Sequence, residues 1–472
     1  MPDGRRGFPR RPGYRCFVAN SERARRDIKP QSPVTAWLRR DHLTNEDLAR
    51  SFDIDLAAAL VGMSRSFIAR AFGHPGGRPR SLTLEQILHL LELDDFQETF
   101  VPRSRIPDYL LSIGDAEPVA TLEAPEDVAI VQGNALSLIP RLDAASVRCV
   151  VTSSPYWGMR LYDNLRDVTW ADGERCPYGF EQTPEGFIRH TVEFLYALKP
   201  ALTKDASVWW NLMDTYNTRT PIRGNARERL EAMNGTPDYL RGWTEHFAVR
   251  HSAGHAYLDD GEQASIPSRV AERASRIGYK LKSVITWRKD WSVPEPVKSR
   301  VKRQAEYVLQ LALGPPIFNR LAWQRLPSRL GGANPQYESM EKITDVWCLP
   351  TSAGKNGHGA EFPLALPGRC IALSTEPGDL VLDPFIGSGT TALAALELKR
   401  RCIGFDISDE YVRLANERVA AARTRNVAVW DYERATLNRS GPNGAGRNGV
   451  DGNHLGSVGA KQFLAPEDVP ID

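Results

Sequence analysis

The chain lacks most of the features that hold small secreted or membrane-bound proteins together. Its six cysteines are scattered over 472 residues with no C-x-x-C pair, so neither a disulfide framework nor a zinc site is expected, and a reducing cytosol fits. Cys149 and Cys402 lie inside apolar runs and read as buried small hydrophobes. No apolar run approaches the length of a membrane span. The arginine-rich start has no apolar stretch of the kind a secretory signal needs, although an organellar transit peptide would share its arginines. A soluble, cytoplasmic protein with no membrane partner is therefore expected. An excess of charge is missing too: 60 Lys and Arg against 58 Asp and Glu leave a net +2, so any nucleic-acid contact must come from local patches. There is no internal repeat, and no lysine follows the glycines in a way that would make a phosphate-binding G-x-x-x-x-G-K-[ST] loop.

What is present fits one large α/β domain with a smaller helical one. Residues 1–40 read as a disordered basic arm, with nine Lys and Arg against three acids in the first 30 positions. The Gly-, Asn- and Ser-rich stretch from Leu437 to Gly459 predicts a disordered tail over 437–472. Residues 41–115 form a helical module whose segment Asp55–Gly73 resembles a helix-turn-helix. Ala58 precedes the turn glycine Gly62, Ile68 anchors the second helix, and Ala57, Val61 and Ala71 fill the apolar slots. Arg65, Ser66 and Arg70 would face outward, where Arg65 and Arg70 could contact DNA. A helical hairpin that only packs is the alternative.

From residue 125 to about 425 strands and helices alternate, which predicts a doubly wound sheet. Strands are expected at Val128–Val131, Val147–Thr152, Ser207–Asp214, Tyr279–Trp287, Ala305–Leu313, Leu380–Asp383 and Arg401–Asp406. Phe187, Thr191, Phe194, Leu195 and Leu198 share one helical stripe. Helices are also expected at Ile266–Gly278, Thr391–Lys399 and Asp409–Ala422. The polar stretch 215–263 is too long for an ordinary connection, and 315–340 is a second candidate insertion.

Two motifs close apolar runs. In the later one Asp383 ends a strand, Gly387 and Gly389 make a turn, and Thr390 opens a helix, so backbone N–H groups can approach an anionic ligand. Asp406 ends the next strand nineteen residues after Gly387, where a carboxylate can accept ribose hydroxyls. Gly387 to Ala392 also satisfies the dinucleotide pattern G-x-G-x-x-A. Only one βα unit follows the acid, however, and the Asp383-Pro384-Phe385 lead-in is foreign to that pattern. The earlier motif, Ser153-Ser154-Pro155-Tyr156-Trp157, ends the strand at 147–152.

Asp383-Pro384-Phe385-Ile386-Gly387-Ser388-Gly389-Thr390-Thr391 and Thr152-Ser153-Ser154-Pro155-Tyr156-Trp157-Gly158-x-Arg160 together resemble the DNA amino-methyltransferases that use S-adenosyl-L-methionine. The order matches the permuted (beta) subgroup, in which the catalytic half comes first. The resemblance covers roughly 125–425 and implies a Rossmann-like methyltransferase sheet with an antiparallel hairpin. It also implies that the cofactor is held by Asn134, Phe362, Pro363, Asp383, Pro384, Phe385, Gly387, Gly389, Thr390, Thr391 and Asp406. The family usually has Asp at position 134, and Asn134 keeps a carbonyl acceptor. Catalysis would fall to Ser153, Ser154, Pro155 and Tyr156. The Ser153 hydroxyl and the carbonyl of Ser154 would accept the amino hydrogens of a flipped base, and Tyr156 would stack on it. Ser154 replaces the family's first proline. DNA contacts would come from Trp157, Arg160 and the basic segment Trp287–Arg303, which matches a family loop at Trp287, Lys289, Pro294, Glu295 and Arg300. Arg320, Gln324 and Arg325 in the second insertion could read base edges.

Ser at position 153 is typical of the family's cytosine-N4 members, whereas its adenine-N6 members mostly carry Asp or Asn. No Pro-Cys dipeptide exists to supply the nucleophile that cytosine C5 methylation needs. The expected function is cytosine-N4 methylation of duplex DNA beside a separate cognate restriction endonuclease. Adenine-N6 methylation is the alternative base assignment, and a non-catalytic DNA-binding regulator is the alternative of another class.

Overall fold

The structure is a computed structural model that describes residues 43–439 except 73–78, 114–119, 160–165, 182, 218–257, 260, 291, 293–297, 333–342 and 351–361. Its centre is a run of strands rich in Val, Ile, Leu and Trp, which read as continuous apolar segments because helices cover both faces. In chain order these are β3 (Val128–Gln132), β4 (Val147–Ser153), β7 (Leu202–Leu212), β8 (Lys280–Lys289), β9 (Ala305–Ala312), β10 (Val346–Leu349), β11 (Leu380–Asp383) and β12 (Arg401–Asp406). They form one eight-stranded sheet in the order β10-β8-β9-β7-β4-β11-β12-β3. Only β9 runs antiparallel to its neighbours, as the partner of β8 in a hairpin and of β7 beside it. The expected doubly wound sheet with an antiparallel hairpin is therefore present.

Helices α7 (Pro184–Leu198) and α8 (Ile266–Arg276) lie on one side of the sheet, and α10 (Ala365–Ser374) and α11 (Thr390–Glu397) on the other. The stripe predicted for α7 is buried along its length. Among the strands of the large sheet and the helices that cover it, β10 and α10 carried no sequence signal. The four-residue β10 is an edge strand, and α10 is buried at all ten positions, so it has no polar face to reveal its period. β7 starts at Leu202 because the polar residues before Ser207 form a bulge between the pairs Val147–Leu202 and Cys149–Ser207.

The N-terminal module contains α1 (Asn45–Ala49), α2 (Ile54–Val61), α3 (Arg65–Ala71), α4 (Leu84–Leu91) and α5 (Ile106–Ser112). An unexpected antiparallel pair, β1 (Ser51–Asp53) and β2 (Ser81–Thr83), ties the entries of α2 and α4 together. Gly62 ends α2 in the left-handed region (φ 66°), and Ser64 caps α3 through the Phe67 N–H, so two helices joined by a glycine turn stand where the sequence places them. The module shares its core with the sheet domain. The fully buried Phe100 stacks on Tyr196 of α7 at 5.0 Å, a burial worth about 1.5–3 kcal/mol. Arg273 of α8 donates to the Thr99 carbonyl at 3.1 Å.

A short hairpin, β5 (Val168–Thr169) and β6 (Arg175–Cys176), leads into α7. The last helix, α12 (Asp409–Arg439), runs well past its expected end at Ala422. The basic arm 1–40 and residues 440–472 lie outside the described residues.

Candidate active site

Parallel strands aim their carboxyl ends at one edge, and the sequence places its chemistry there. Asn134, Ser153, Asp383 and Asp406 follow or end β3, β4, β11 and β12, while Asn211 lies near the end of β7. Because β9 is antiparallel, its first residues, including Glu306, come to the same edge, and β8 ends there on Lys289. The sheet changes winding direction between β4 and β11, where open α/β sheets bind ligands.

The glycine turn is built around two carboxylates. Asp383 is fully buried and accepts from the hydroxyls of Thr152 and Thr391, each at 2.6 Å, and from the Phe385 N–H at 3.0 Å. Burial outweighs those bonds and lifts its pKa to about 6. Asp383 and the equally buried Thr391 knit β4, β11 and α11 together and set the turn's shape from behind. Asp406 is only half-buried, and it accepts from Gly387 N–H at 3.0 Å and Ser408 N–H at 2.9 Å. Desolvation raises its pKa to about 6 as well. Each of its oxygens retains a second lone pair for a ligand hydroxyl.

Whether this turn fits a nucleoside cofactor can be tested on the structure. Gly387 (φ 50°) has open space where a Cβ would project, its nearest neighbour being the Phe385 carbonyl at 4.0 Å. The buried Thr390 hydroxyl at the start of α11 makes no hydrogen bond. Arg418 of α12 grips the Ser388 carbonyl and hydroxyl at 2.7 and 2.6 Å and keeps the turn in place. Open space beside a glycine, a buried hydroxyl with no partner and a carboxylate at the neighbouring strand end fit S-adenosyl-L-methionine. Asn134 caps the short helix α6 (Ala135–Leu138) through the Leu136 N–H at 3.0 Å, a cap that Asp and Asn serve equally well. Phe362 and Pro363 are buried just before α10, and Pro384 and Phe385 line the turn, the Phe385 ring stacking on Tyr178 at 5.3 Å.

The catalytic corner adjoins this cradle. Ser153 Oγ lies 3.1 Å from the Tyr156 hydroxyl, which donates to Glu306 Oε2 at 2.5 Å. Asn211 Nδ2 reaches Ser153 Oγ (3.3 Å), the Tyr156 hydroxyl (2.7 Å) and Glu306 Oε2 (2.8 Å), while Lys289 Nζ pairs with Glu306 Oε1 at 2.7 Å. Sequence reasoning missed Glu306 and Asn211. The available signal was a polar side chain inside an apolar strand run, at Asn211 in WWNL and Glu306 in AEYVL. Ser154 is buried, its hydroxyl accepting from Trp210 Nε1–H at 3.1 Å. Pro155 follows at the surface of the corner.

Several expected DNA contacts move. Trp157 is 1% exposed and donates its indole N–H to the Glu181 carbonyl at 2.8 Å, so it is a core residue and not a DNA contact. Lys289 points at Glu306 and belongs to the catalytic corner. Arg300 lies over the Tyr216 ring at 3.6 Å, on the same edge, near the exposed Arg288, Lys298 and Lys302. Arg65 pairs with Asp55, and both act on Lys199 at the far end of α7, so the helix-turn-helix sits toward the opposite edge from Ser153. Arg70 is exposed on the same helix. In the second insertion, Ile317 bonds to Asp205 and Asn319 to the Leu373 carbonyl, so α9 (Arg320–Gln324) also starts opposite the site. Gln324 ends α9 and Arg325 is its C-cap. Arg160, Pro294, Glu295, most of 215–263 and 333–340 lie outside the described residues.

A methyl-donor cradle beside a hydroxyl–amide–carboxylate corner defines a methyltransferase acting on amino nitrogens. A sequence profile of the N6/N4 DNA methylases matches residues 147–417, and the chain belongs to that family. The type II methyltransferase M.XycI of Xanthomonas campestris pv. cyanopsidis is 31% identical over 305 residues, covering 64% of this chain and 90% of the relative. M.SmaI of Serratia marcescens is 29% identical over 296 residues, or 62% of this chain and 91% of the relative. Among solved structures, the cytosine-N4-specific PvuII DNA methyltransferase superposes with a TM-score of 0.42 at 19% identity, covering 65% and 93% of the two chains. A DNA modification methylase from Thermus thermophilus, described as putative and complexed with S-adenosyl-L-methionine, gives 0.40 at 20% identity, covering 63% and 94%. S-adenosyl-L-methionine is the methyl donor of this DNA methyltransferase. Among the described residues no helix is long and apolar enough to cross a membrane.

Proposed function

We propose that the chain methylates the exocyclic N4 of cytosine in duplex DNA, as the modification enzyme paired with a separate restriction endonuclease. The observation that carries the base assignment is Ser153, whose hydroxyl is half-exposed at the corner and held from behind by Asn211 and Tyr156. Asn211 Nδ2 has two hydrogens and bonds most closely to Tyr156 (2.7 Å) and Glu306 (2.8 Å), so Ser153 Oγ, 3.3 Å away, keeps a lone pair for an amino hydrogen of the base. The hydroxyl proton can pass to Tyr156, whose own proton is held by Glu306. Bound S-adenosyl-L-methionine supplies a methyl group activated by a sulfonium.

The residues of the chain do the rest. An exocyclic amine is a weak nucleophile because its lone pair is delocalised into the ring. Accepting its hydrogens at Ser153 Oγ and at the Ser154 carbonyl localises that pair and aims it at the methyl carbon. Transfer would break the sulfonium's bond to the methyl carbon, release S-adenosyl-L-homocysteine and leave the nitrogen with a proton to lose, which the Ser153–Tyr156–Glu306 chain would lead to a carboxylate neutralised by Lys289. The target base must first leave the duplex, which costs a few kcal/mol of unstacking. The basic β8–β9 hairpin is on the correct edge to hold phosphates while that happens.

The type II relatives support the restriction-modification setting. The test is mass spectrometry of nucleosides from plasmid DNA incubated with protein and S-adenosyl-L-methionine. N4-methylcytosine is the expected product. N6-methyladenine would overturn the base assignment while leaving the site intact.

A further inference from the structure

The β5–β6 hairpin carries chemistry that methyl transfer does not use. Asp172, Glu174 and Cys176 occupy alternate positions, and α7 turns the fully buried His190 toward them. The ligand atoms of Glu174, Cys176 and His190 lie within 4.8 Å of one another. His190 Nε2 is 3.8 Å from Glu174 Oε2 and 3.3 Å from Asp172 Oδ1. We propose that these residues form a structural zinc site, with Glu174, Cys176 and His190 as ligands and Asp172 closing the fourth position.

Three independent features point to a cation. Tetrahedral zinc with arms of about 2.0–2.3 Å has ligand–ligand edges of about 3.3–3.8 Å, which the His190 distances already match. The other imidazole nitrogen, Nδ1, lies 2.9 Å from Glu181 Oε1, a fully buried carboxylate. A metal-bound histidine needs such an outer partner to fix its tautomer and leave Nε2 for the ion. Trp170 stacks flat on the imidazole, with ring centroids 3.9 Å apart, and prevents it from turning.

Charge gives the third argument. Asp172, Glu174 and Glu181 surround His190, whose two ring nitrogens bond to Glu181 and Asp172, and Arg189 reaches Asp172 at 2.7 Å and is shared with Glu98. The second oxygen of Glu181 is buried and makes no hydrogen bond. Three carboxylates face one imidazole and one shared guanidinium, and a divalent ion at the centre of the group would balance the excess. The approach of α7 is built for it: a Cβ on Gly186 would fall 2.7 Å from Glu174 Oε2. Imidazole, thiolate and carboxylate together suit zinc better than magnesium or calcium.

The ion would position the catalytic loop without touching the reaction. Gly179 and Glu181 accept backbone and indole hydrogen bonds from Gly158 and Trp157, so fixing the 172–181 segment fixes the residues that follow Tyr156.

The full chain, stripped with a chelator and titrated with zinc sulfate against a chromophoric competitor, should bind about one equivalent. Cobalt(II) should bind at the same stoichiometry and give a thiolate-to-metal charge-transfer band. Cys176→Ser should abolish that band and weaken zinc binding by at least about tenfold, as ligand-shell changes do. His190→Gln should remove binding, and Cys176→Ser serves as the milder variant if His190→Gln fails to fold. Less than about a tenth of an equivalent bound by the folded wild-type chain would overturn the site. So would a cobalt band that survives Cys176→Ser.

Discussion

Glu306 is the most informative residue to perturb, because three donors converge on it from three strands or their ends. Its Oε2 accepts from Tyr156 and Asn211, and its Oε1 pairs with Lys289. Glu306→Gln keeps the shape but offers one acceptor oxygen. Whichever way the amide turns, its NH2 faces a donor: the Lys289 ammonium on one side or the Tyr156–Asn211 pair on the other. Lost hydrogen bonds to a charged group cost about 1.5–3 kcal/mol, which at the transition state lowers turnover roughly 10- to 150-fold. The stranded Lys289, whose side chain is 14% exposed, adds a stability loss of about 2–3 kcal/mol, below the range for a fully buried broken pair. Single-turnover methyl transfer, measured beside thermal unfolding and the Kd for S-adenosyl-L-methionine, separates the effects. Cofactor affinity should stay within about twofold, because Glu306 lies off the glycine turn. Adding Lys289→Met to Glu306→Gln should restore stability without restoring the rate. A Glu306→Gln enzyme within about twofold of the wild-type single-turnover rate would refute the reasoning, and so would a rate that recovers along with stability.

Three further outcomes follow from the same geometry. Ser153→Ala should abolish transfer with the Kd for S-adenosyl-L-methionine unchanged, whereas Asp406→Ala should weaken cofactor binding; calorimetric titration and a methyl-transfer assay report the two arms. Burial raises the Asp406 pKa to about 6, so the carboxylate that accepts ligand hydroxyls is protonated as pH falls through that value. Cofactor affinity should therefore be flat above about pH 7 and fall by about tenfold per pH unit well below about 6, unless Asp406→Asn has already removed the dependence. Trp157→Phe keeps the buried ring but strands the Glu181 carbonyl, costing about 1–2 kcal/mol in thermal or urea unfolding while leaving the DNA Kd unchanged. A selective loss of DNA affinity would return Trp157 to the interface.

Much of this is legible in the sequence because backbone requirements are written locally. The strand ends at Asp383 and Asp406 and the turn at Gly387 follow from apolar runs that stop at glycine or acid, and both strands have their expected bounds. What stays hidden depends on distant chain segments meeting. The bracing role of Asp383 shows only once Thr152, 231 residues earlier, is seen to bond to its carboxylate. Glu306 becomes part of the site only because β9 reverses direction beside β7. His190 and Cys176 have no zinc-finger spacing; a hairpin and a helix bring them together in space. The helix-turn-helix shows in its local spacing, yet its position toward the edge opposite Ser153 depends on how the module packs and leaves no local trace.

Ser154 shows how a departure from a family pattern should be weighed. Taken alone, the loss of a proline from the catalytic loop argues for a slack loop and a chain that has given up catalysis. In the fold the Ser154 side chain is buried and bonded: Trp210 Nε1–H donates to its hydroxyl at 3.1 Å, and Tyr178 lies behind it, bonded to Thr191 at 2.7 Å. A proline would hold the backbone but leave the Trp210 N–H buried without an acceptor, at a cost of about 1–3 kcal/mol. Ser154→Pro should therefore lower thermal stability and methyl transfer together, even though it restores the family's residue. Faster transfer by the proline variant would mean that loop stiffness, and not the Trp210 bond, limits this enzyme.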